Sequence, residues 1–335
     1  MFEQHVSGSY YEMGLNIAKQ FKEEFSSIEE FPPKFSTDKL NLSLEYEKEV
    51  YKYTPELLEE LHGIADGIKI DYNILVANEL TPYRLQPSCL VMAISGEHTK
   101  SGLPILARNH EWIEEDSKNL TLCYTKPKQR IQSFGFTFMT LNMSRFGGTN
   151  ERGLAISSTS ASFINSGPGV MLNVATRWIL DNCETTEDAT EFLKKIPKTW
   201  GTAYLIIDKN NTIAKVEAHR KKTKVTYSDD GFEFVTMIFD SSEMEKYNQI
   251  DEFAKLYYPR KEFLTQWFDL HKGKIDTKPI IQALQDHDHS MCDHTSDGHF
   301  NYGICWSWII TIGKTEASVC AGPPCKNKFI NYSIY

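Results

Sequence analysis

Cys89 opens an apolar run, Cys89-Leu90-Val91-Met92-Ala93-Ile94-Ser95, and a second run, Leu103 to Ala107, ends in the polar cluster Arg108-Asn109-His110-Glu111-Trp112. A loop containing Ser101-Gly102 separates the two, so the pattern predicts a hairpin. Pairing of this kind sets the start of the first strand beside the end of the second and is expected to bring Arg108 and Glu111 to the thiol. A guanidinium there favours the thiolate, the nucleophilic form of cysteine, and a carboxylate can hold a protonated amine or orient a base. A cysteine heading an apolar strand is, in isolation, most often a buried small hydrophobe. Three coincident features argue for chemistry instead: a helical stretch ending at Ser88, a cysteine that starts a strand, and a polar cluster closing the paired strand.

Other constellations compete with this one. The stretch from His287 through Asp288, His289, Ser290, Met291, Cys292, Asp293 and His294 to Asp297 and His299 packs metal-capable side chains into thirteen residues. It has no standard ligand spacing, so it reads as a solvated polar loop, with adventitious zinc or nickel binding as the next reading; no metal ligand and no cofactor is assigned. Cys320 and Cys325 flank Ala-Gly-Pro-Pro and read as a structural loop rather than a redox pair. Ser157 to Ser162 is small and polar and either lines a pocket or forms a hydrogen-bonded turn. Trp112, Phe134, Phe136, Phe138 and Phe146 are candidates for an acyl pocket, although aromatics at strand spacing are usually core.

These side chains must be positioned by regular elements. Tyr10 to Phe25 has the spacing of an amphipathic helix, Pro32-Pro33 breaks it, Thr54-Pro55-Glu56 starts a second helix, and Asp71 to Leu80 reads as a third. From Cys89 onward strand patterns dominate: Leu120 to Thr125, Ile131 to Thr140, Gly153 to Ser158, Tyr204 to Asp208, Thr212 to Ala218, Phe232 to Ile238, Cys305 to Ile312 and Ala317 to Ala321. Helices are expected at Val170 to Asn182, Glu187 to Ile196, Glu243 to Leu256, Lys261 to His271 and Pro279 to His287. Strands in two blocks with grouped helices predict an α+β layered protein, with a helical region 1–88 and a strand-rich region 89–335. A chain of 335 residues has room for roughly two domains or one large layered one.

The composition excludes several classes. With 36 basic and 45 acidic residues the net charge is -9, which repels polyphosphate, so nucleic acid is not an expected partner. The longest apolar runs fall short of the ~20 residues of a membrane span, and the first residues lack a signal-peptide layout, so a cytoplasmic protein without membrane contact is expected. Seven cysteines, an odd number at low density, do not make a disulfide framework.

With these elements placed, the chain resembles the acyl-coenzyme A:6-aminopenicillanic-acid acyltransferase group within the choloylglycine hydrolase-like N-terminal-nucleophile (Ntn) hydrolases. The resembling parts, in order over nearly the whole chain, are Gly8 to Gly14, Glu60 to Gly67, Cys89, Ala107 to Trp112, and Thr149 to Ala155. They continue with Gly167 to Val170, Arg177, Glu217, Trp306 to Ile312, Glu316 to Ser318 and Ala321 to Pro324.

The resemblance implies a four-layer αββα sandwich made as a precursor that cuts itself between Ser88 and Cys89. The freed α-amino group, with an ordinary pKa of about 7.7 to 8, then serves as the thiol's own base. It implies Cys89 as nucleophile, Arg108 as the group beside it, and Glu111, where the family usually has Asp, as the residue that positions the new amine. Oxyanion and substrate contacts map to Ser158, Thr159 or Ser160, to Asn109, and to the segment Val235-Thr236-Met237. Met237 there stands where the family has an asparagine and cannot donate a hydrogen bond. Asp293 likewise replaces a family arginine. The implied substrate is a small N-acylated amine or amino acid, with hydrolysis and acyl transfer both open and a homodimer among the open assemblies. A relative that keeps the fold and binds such a ligand without turning it over is the alternative.

Overall fold

Strands buried on both faces must be covered on both, and Cys89–Ile94 and Leu154–Ser162, buried at every position, are inner strands of two stacked sheets. The computed structural model describes residues 1–24, 34–82, 89–138, 143–250, 254–296 and 301–334. The order is β1 (Phe2–Gly8), α1 (Tyr10–Glu24), α2 (Thr37–Tyr53), α3 (Pro55–Ile68), α4 (Tyr72–Glu79), β2 (Cys89–Ile94), β3 (Ile105–Ile113), β4 (Leu120–Pro127), β5 (Ser133–Phe138), β6 (Gly147–Asn150) and β7 (Leu154–Ser162). There follow α5 (Leu172–Asn182), α6 (Thr186–Lys195), β8 (Gly201–Asp208), β9 (Ile213–His219), β10 (Lys222–Tyr227) and β11 (Phe232–Val235). The chain ends with α7 (Tyr257–His271), α8 (Thr277–Leu284), β12 (His294–Ser296), β13 (Asn301–Thr311), β14 (Glu316–Ala321) and β15 (Ile330–Ser333).

The first sheet runs β1-β4-β5-β6-β7-β8-β9-β10 and the second β11-β2-β3-β13-β14-β15, with β12 on β13. All pairs are antiparallel except β1 with β4. Three apolar clusters fix the layering. Leu154, Ile156 and Tyr204 of the first sheet pack with Leu61, Ile64, Val174 and Leu193 of the helices. Val91, Leu106 and Trp308 meet Phe134, Phe136, Ala155 and Leu205 between the sheets. Leu90, Met92 and Ala107 face α7 and α8 through Leu264, Ile280 and Leu284. The architecture is therefore helix, sheet, sheet, helix, the layer order that the resemblance implied.

Three local expectations are corrected. The amino-terminal region is not wholly helical: Phe2–Gly8 buries Gln4 and Val6 and pairs with β4, so the region before Cys89 contributes a strand to the first sheet. Helix α2 escaped the periodicity reading because one of its buried positions is Ser43 while Leu42 and Leu44 are exposed; its start is marked by the Ser36 cap on Lys39 N. Among the described residues of Glu243 to Leu256, where a helix is expected, there are only short turns at Glu245–Tyr247 and Ala254–Leu256. Asn248 explains part of this, since its amide bonds both N and O of Phe239 and competes with helical hydrogen bonding.

The glycines of the two amino-terminal motifs are packing residues. A Cβ on Gly14 would lie 2.1 Å from the Glu60 carbonyl oxygen and one on Gly63 2.2 Å from that of Tyr11, so α1 and α3 cross with backbones in contact. Gly63→Ala is expected to lower stability by about 1–3 kcal/mol, as overpacking does, and thermal melting checks it.

Glu79, at the end of α4, is a buried carboxyl whose pKa burial pushes up to about 7 from an ordinary 4.5, with Asn78 donating one compensating hydrogen bond. The folded chain therefore holds a proton there that the unfolded chain releases near pH 4.5. Stability is lost as pH rises from 4.5 through 7, a cost on the order of 3 kcal/mol at pH 8. Glu79→Gln is expected to raise the melting temperature at pH 8 and to leave it nearly unchanged at pH 4.5.

Candidate active site

The hairpin forms with the register Cys89↔His110, Val91↔Arg108 and Ile94↔Ile105. Residues opposite one another in an antiparallel pair share a face, and alternate residues along a strand do too. Cys89, Arg108 and His110 therefore meet on one side of the second sheet. Arg108 Nη2 lies 3.1 Å from Cys89 Sγ and 2.7 Å from His110 Nδ1, and the sulfur is 3.9 Å from that nitrogen. Arg108 Nη1 donates to Ser157 Oγ at 2.6 Å and to the Phe146 carbonyl, so β7 and the segment before β6 hold the guanidinium against the thiol. All three side chains are buried.

His110 is a member that the sequence reading named only as part of a polar cluster. Its pKa lies well below the ordinary value of 6.5, because burial and the neighbouring Arg108 both oppose its charged form. A guanidinium only donates, so Nδ1 is the acceptor and the neutral ring carries its proton on Nε2, which has no partner among the described residues. The ring stacks on Trp306 at 4.0 Å and meets Phe138 and Phe146 edge-on. A bulge explains the stacking: β13 pairs Ile304 with Glu111 and Trp306 with His110, so Cys305 is extra and Trp306 is re-aimed over the imidazole. Strand alternation was the available signal, since His110 is two residues from Arg108 on the same face.

Glu111 takes the other face. Its carboxylate forms a buried ion pair with Arg260 of α7 at 3.0 Å. It stands one residue beyond the position paired with Cys89, so it flanks the amino-terminal end of β2 and not the thiol. Asn109 also lies on this face and is committed to structure: Nδ2 donates to the carbonyls of Leu284 and Met291, and Oδ1 accepts from Ser307. Arg260, on α7, is thus the cation that faces Glu111.

The remaining predicted residues separate by face. On β7, Ser157 touches Arg108, and Thr159 shares its side by alternation. Ser158 and Ser160 alternate with them toward the helical layer, where Ser160 Oγ accepts from Trp200 Nε1. Met237 packs with Leu90 and Met92, on the face of β2 opposite Cys89. Ser88 lies outside the described residues. The aromatics divide as well: Phe134 and Phe136 are inter-sheet core, while Trp112, Phe138 and Phe146 are only partly buried and cluster beside His110. A separate cleft, lined by Thr149 to Gly153 and Ile310 to Thr315, lies at the far end of β13 and contains none of these residues.

A model of the acyl-coenzyme A:6-aminopenicillanic acid acyl-transferase family matches residues 98–323. The chain belongs to this acyl-transferase family. The match takes in Arg108 and Glu111 and begins after Cys89. Among solved structures, a variant of conjugated bile acid hydrolase from Clostridium perfringens is similar over 73% of this chain and 97% of its own, with a TM-score of 0.51 at 14% identity. A Caenorhabditis elegans ortholog of N-acylethanolamine-hydrolyzing acid amidase covers 68% and 94% with a TM-score of 0.48, and a penicillin V acylase from Agrobacterium tumefaciens 70% and 83% with a TM-score of 0.42, both at 14% identity. No curated protein sequence matches the chain. The two-sheet architecture is that of Ntn hydrolases.

Several motif residues of this acyl-transferase family member are now explained by structure alone. Asn150 closes the β6–β7 turn, accepting from the backbone N–H of Arg152 and Leu154 while donating to the carbonyls of Leu180 and Cys183. Glu217 accepts from the backbone N–H of Asp240 and Ser241 and anchors the segment after β11. Arg177 of α5 joins Glu60 of α3 and Asp181 in a fully buried ionic cluster. Among the described residues no helix is long and apolar enough to cross a membrane.

Proposed function

We propose that this chain is an autoprocessing cysteine amidohydrolase or acyltransferase acting on small N-acylated amines or amino acids, with Cys89 as nucleophile. The observation that carries the reading is the buried Cys89 sulfur held 3.1 Å from a guanidinium that is itself fixed by three further contacts. In the precursor, Cys89 Sγ attacks the Ser88 carbonyl carbon, the 88–89 C–N bond breaks, and its nitrogen takes the thiol proton. Water then hydrolyses the resulting thioester, leaving a carboxylate on Ser88 and a free amine on Cys89. In turnover that amine accepts the thiol proton, sulfur attacks the substrate carbonyl, and the tetrahedral oxyanion collapses as the leaving amine takes the proton back. Water or an acceptor amine resolves the acyl-enzyme.

Arg108 meets negative charge as it develops on sulfur. Glu111, at the amino-terminal end of β2, is suited to hold the new ammonium, with Arg260 fixing the carboxylate's orientation. His110 is a positioning residue: its Nδ1 takes one Arg108 N–H and so aims the guanidinium. Trp112, Phe138 and Phe146 favour an apolar acyl group. The test is a panel of N-acyl amino acids and N-acyl amines scored for amine release. Arg108→Gln is expected to lower kcat/KM about 10²–10³-fold, the usual cost of one preorganised electrostatic contact. Release equal to that of a Cys89→Ala chain across the panel would refute the reading.

Met237 supports a second reading. By the resemblance it stands where relatives carry an oxyanion donor, its side chain is part of an apolar cluster and cannot donate, and one such contact is worth roughly 2.7–4 kcal/mol. A chain that binds these compounds and releases amine at least a hundredfold more slowly than an enzyme with that donor fits this observation; saturable binding together with release slowed to that degree identifies it.

A further inference from the structure

Four donor atoms outside the site described above converge at one place: the ring nitrogens of His287 and His294 and the sulfurs of Cys292 and Cys325 all lie within 4.8 Å of one another. His294 Nε2 is 3.3 Å from Cys325 Sγ and 3.8 Å from Cys292 Sγ. Tetrahedral zinc with Zn–S near 2.3 Å and Zn–N near 2.0–2.1 Å requires nitrogen-to-sulfur separations of about 3.6 Å, so these distances already bracket that value. A second feature is independent of the cluster's composition. Glu114 Oε1 sits 2.7 Å from His294 Nδ1, the carboxylate-to-histidine contact that fixes the tautomer and leaves Nε2 free to ligate. The sequence hid the site because its fourth member, Cys325, lies beyond two intervening strands, after β14.

We infer that His287, Cys292, His294 and Cys325 form a structural zinc site. Two sulfur and two nitrogen donors with no fifth candidate ligand among the described residues is the donor set of a closed tetrahedral centre, and thiolate with imidazole selects zinc over calcium or magnesium. Binding displaces one proton from each thiol, so the two thiolates neutralise the dication and no net charge is buried with Cys292. The ion joins three separate pieces of chain: the turn after α8, the start of β12 and the loop after β14. It also steadies the second sheet where Glu111 stands. Between two of the ligands, the Ser290 carbonyl accepts from Arg260 Nε and the Met291 carbonyl from Asn109 Nδ2. Fixing residues 287–292 thus fixes the partners of β3 on the face that carries Glu111. The inference does not depend on the proposed reaction.

The test uses the full chain without a histidine tag. Metal analysis after gel filtration is expected to find one zinc per chain, and less than about 0.1 in a Cys292→Ser, Cys325→Ser chain. Wild-type protein stripped of metal and titrated with Co²⁺ is expected to develop thiolate-to-cobalt charge-transfer absorption and strong ligand-field bands at one equivalent, lost on adding Zn²⁺. Zinc should bind with a Kd tighter than about 50 nM, the weak end of structural sites. Should the double variant fail to fold, the cobalt titration of the wild type decides alone. Micromolar binding without sulfur-to-cobalt bands, or a Cys292–Cys325 disulfide in the unreduced protein, would overturn the assignment.

Discussion

A Cys89→Ala chain is expected to release amine from N-acyl substrates at no more than about 10⁻⁴ of the wild-type rate, because removing a nucleophile removes the covalent route and leaves only binding and electrostatic contacts. The effect is chemical and not a loss of fold. The side chain is buried but small, and its thiol is held by Arg108 at one end of β2, so deleting one sulfur costs on the order of 1 kcal/mol and shifts the melting temperature by a few degrees at most. Arg108 keeps its contacts to Ser157, Phe146 and His110 in the variant. Steady-state kinetics beside thermal melts separate the two effects. A variant that melts like wild type and retains a tenth of its activity would assign the chemistry to another group.

The second large effect concerns the ionic cluster that joins the region before Cys89 to the rest. Arg177 pairs in fork fashion with Glu60, at 3.0 and 2.9 Å, through Nε with Asp181 at 2.8 Å, and donates to the Met143 carbonyl, all with no solvent exposure. Tyr10 and Ser133 also donate to Asp181. Burial raises the pKa of Asp181, the facing Arg177 guanidinium opposes that rise, and the neighbouring Glu60 carboxylate adds to it. Arg177→Met leaves two buried carboxylates without their cation, which costs about 3–5 kcal/mol and should lower the melting temperature by roughly 5–15 °C. The triple replacement Glu60→Leu, Arg177→Met, Asp181→Leu is expected to recover most of that loss, since a buried ion pair gives little net stability over apolar residues of similar size. The functional consequence follows from position. Glu60 sits on α3 and Arg177 on α5, so this cluster ties residues 1–88 to the rest and would hold them in place through the proposed cleavage before Cys89.

Much of the fold was legible because most strands have apolar faces with clear alternation or continuous apolar runs, and because Pro55 and the Asp71 cap mark helix starts. What was not legible depended on pairing across long separations. Phe2–Gly8 alternates only weakly and becomes a strand through β4. At the site, Cys89 and Arg108 were readable from the hairpin, but placing Glu111 beside the thiol ignored alternation: residues three apart on a strand face opposite ways, and Glu111 meets Arg260 instead. Arg260 itself carried no local signal, being one cation on an ordinary helix. Trp306 over His110 was hidden too, since it depends on a bulge that sequence does not announce. The zinc ligands failed the spacing test for the same reason, their fourth member being contributed by a distant loop.

The central claim is that Cys89 becomes an amino terminus. Intact mass spectrometry of the purified wild-type chain, beside Cys89→Ala prepared identically, tests it most directly. The account predicts two wild-type species, residues 1–88 and residues 89–335, that co-elute in gel filtration and separate under denaturation, while the variant stays a single chain of 335 residues. A wild-type protein that remains uncut and still releases amine from its substrate would contradict it.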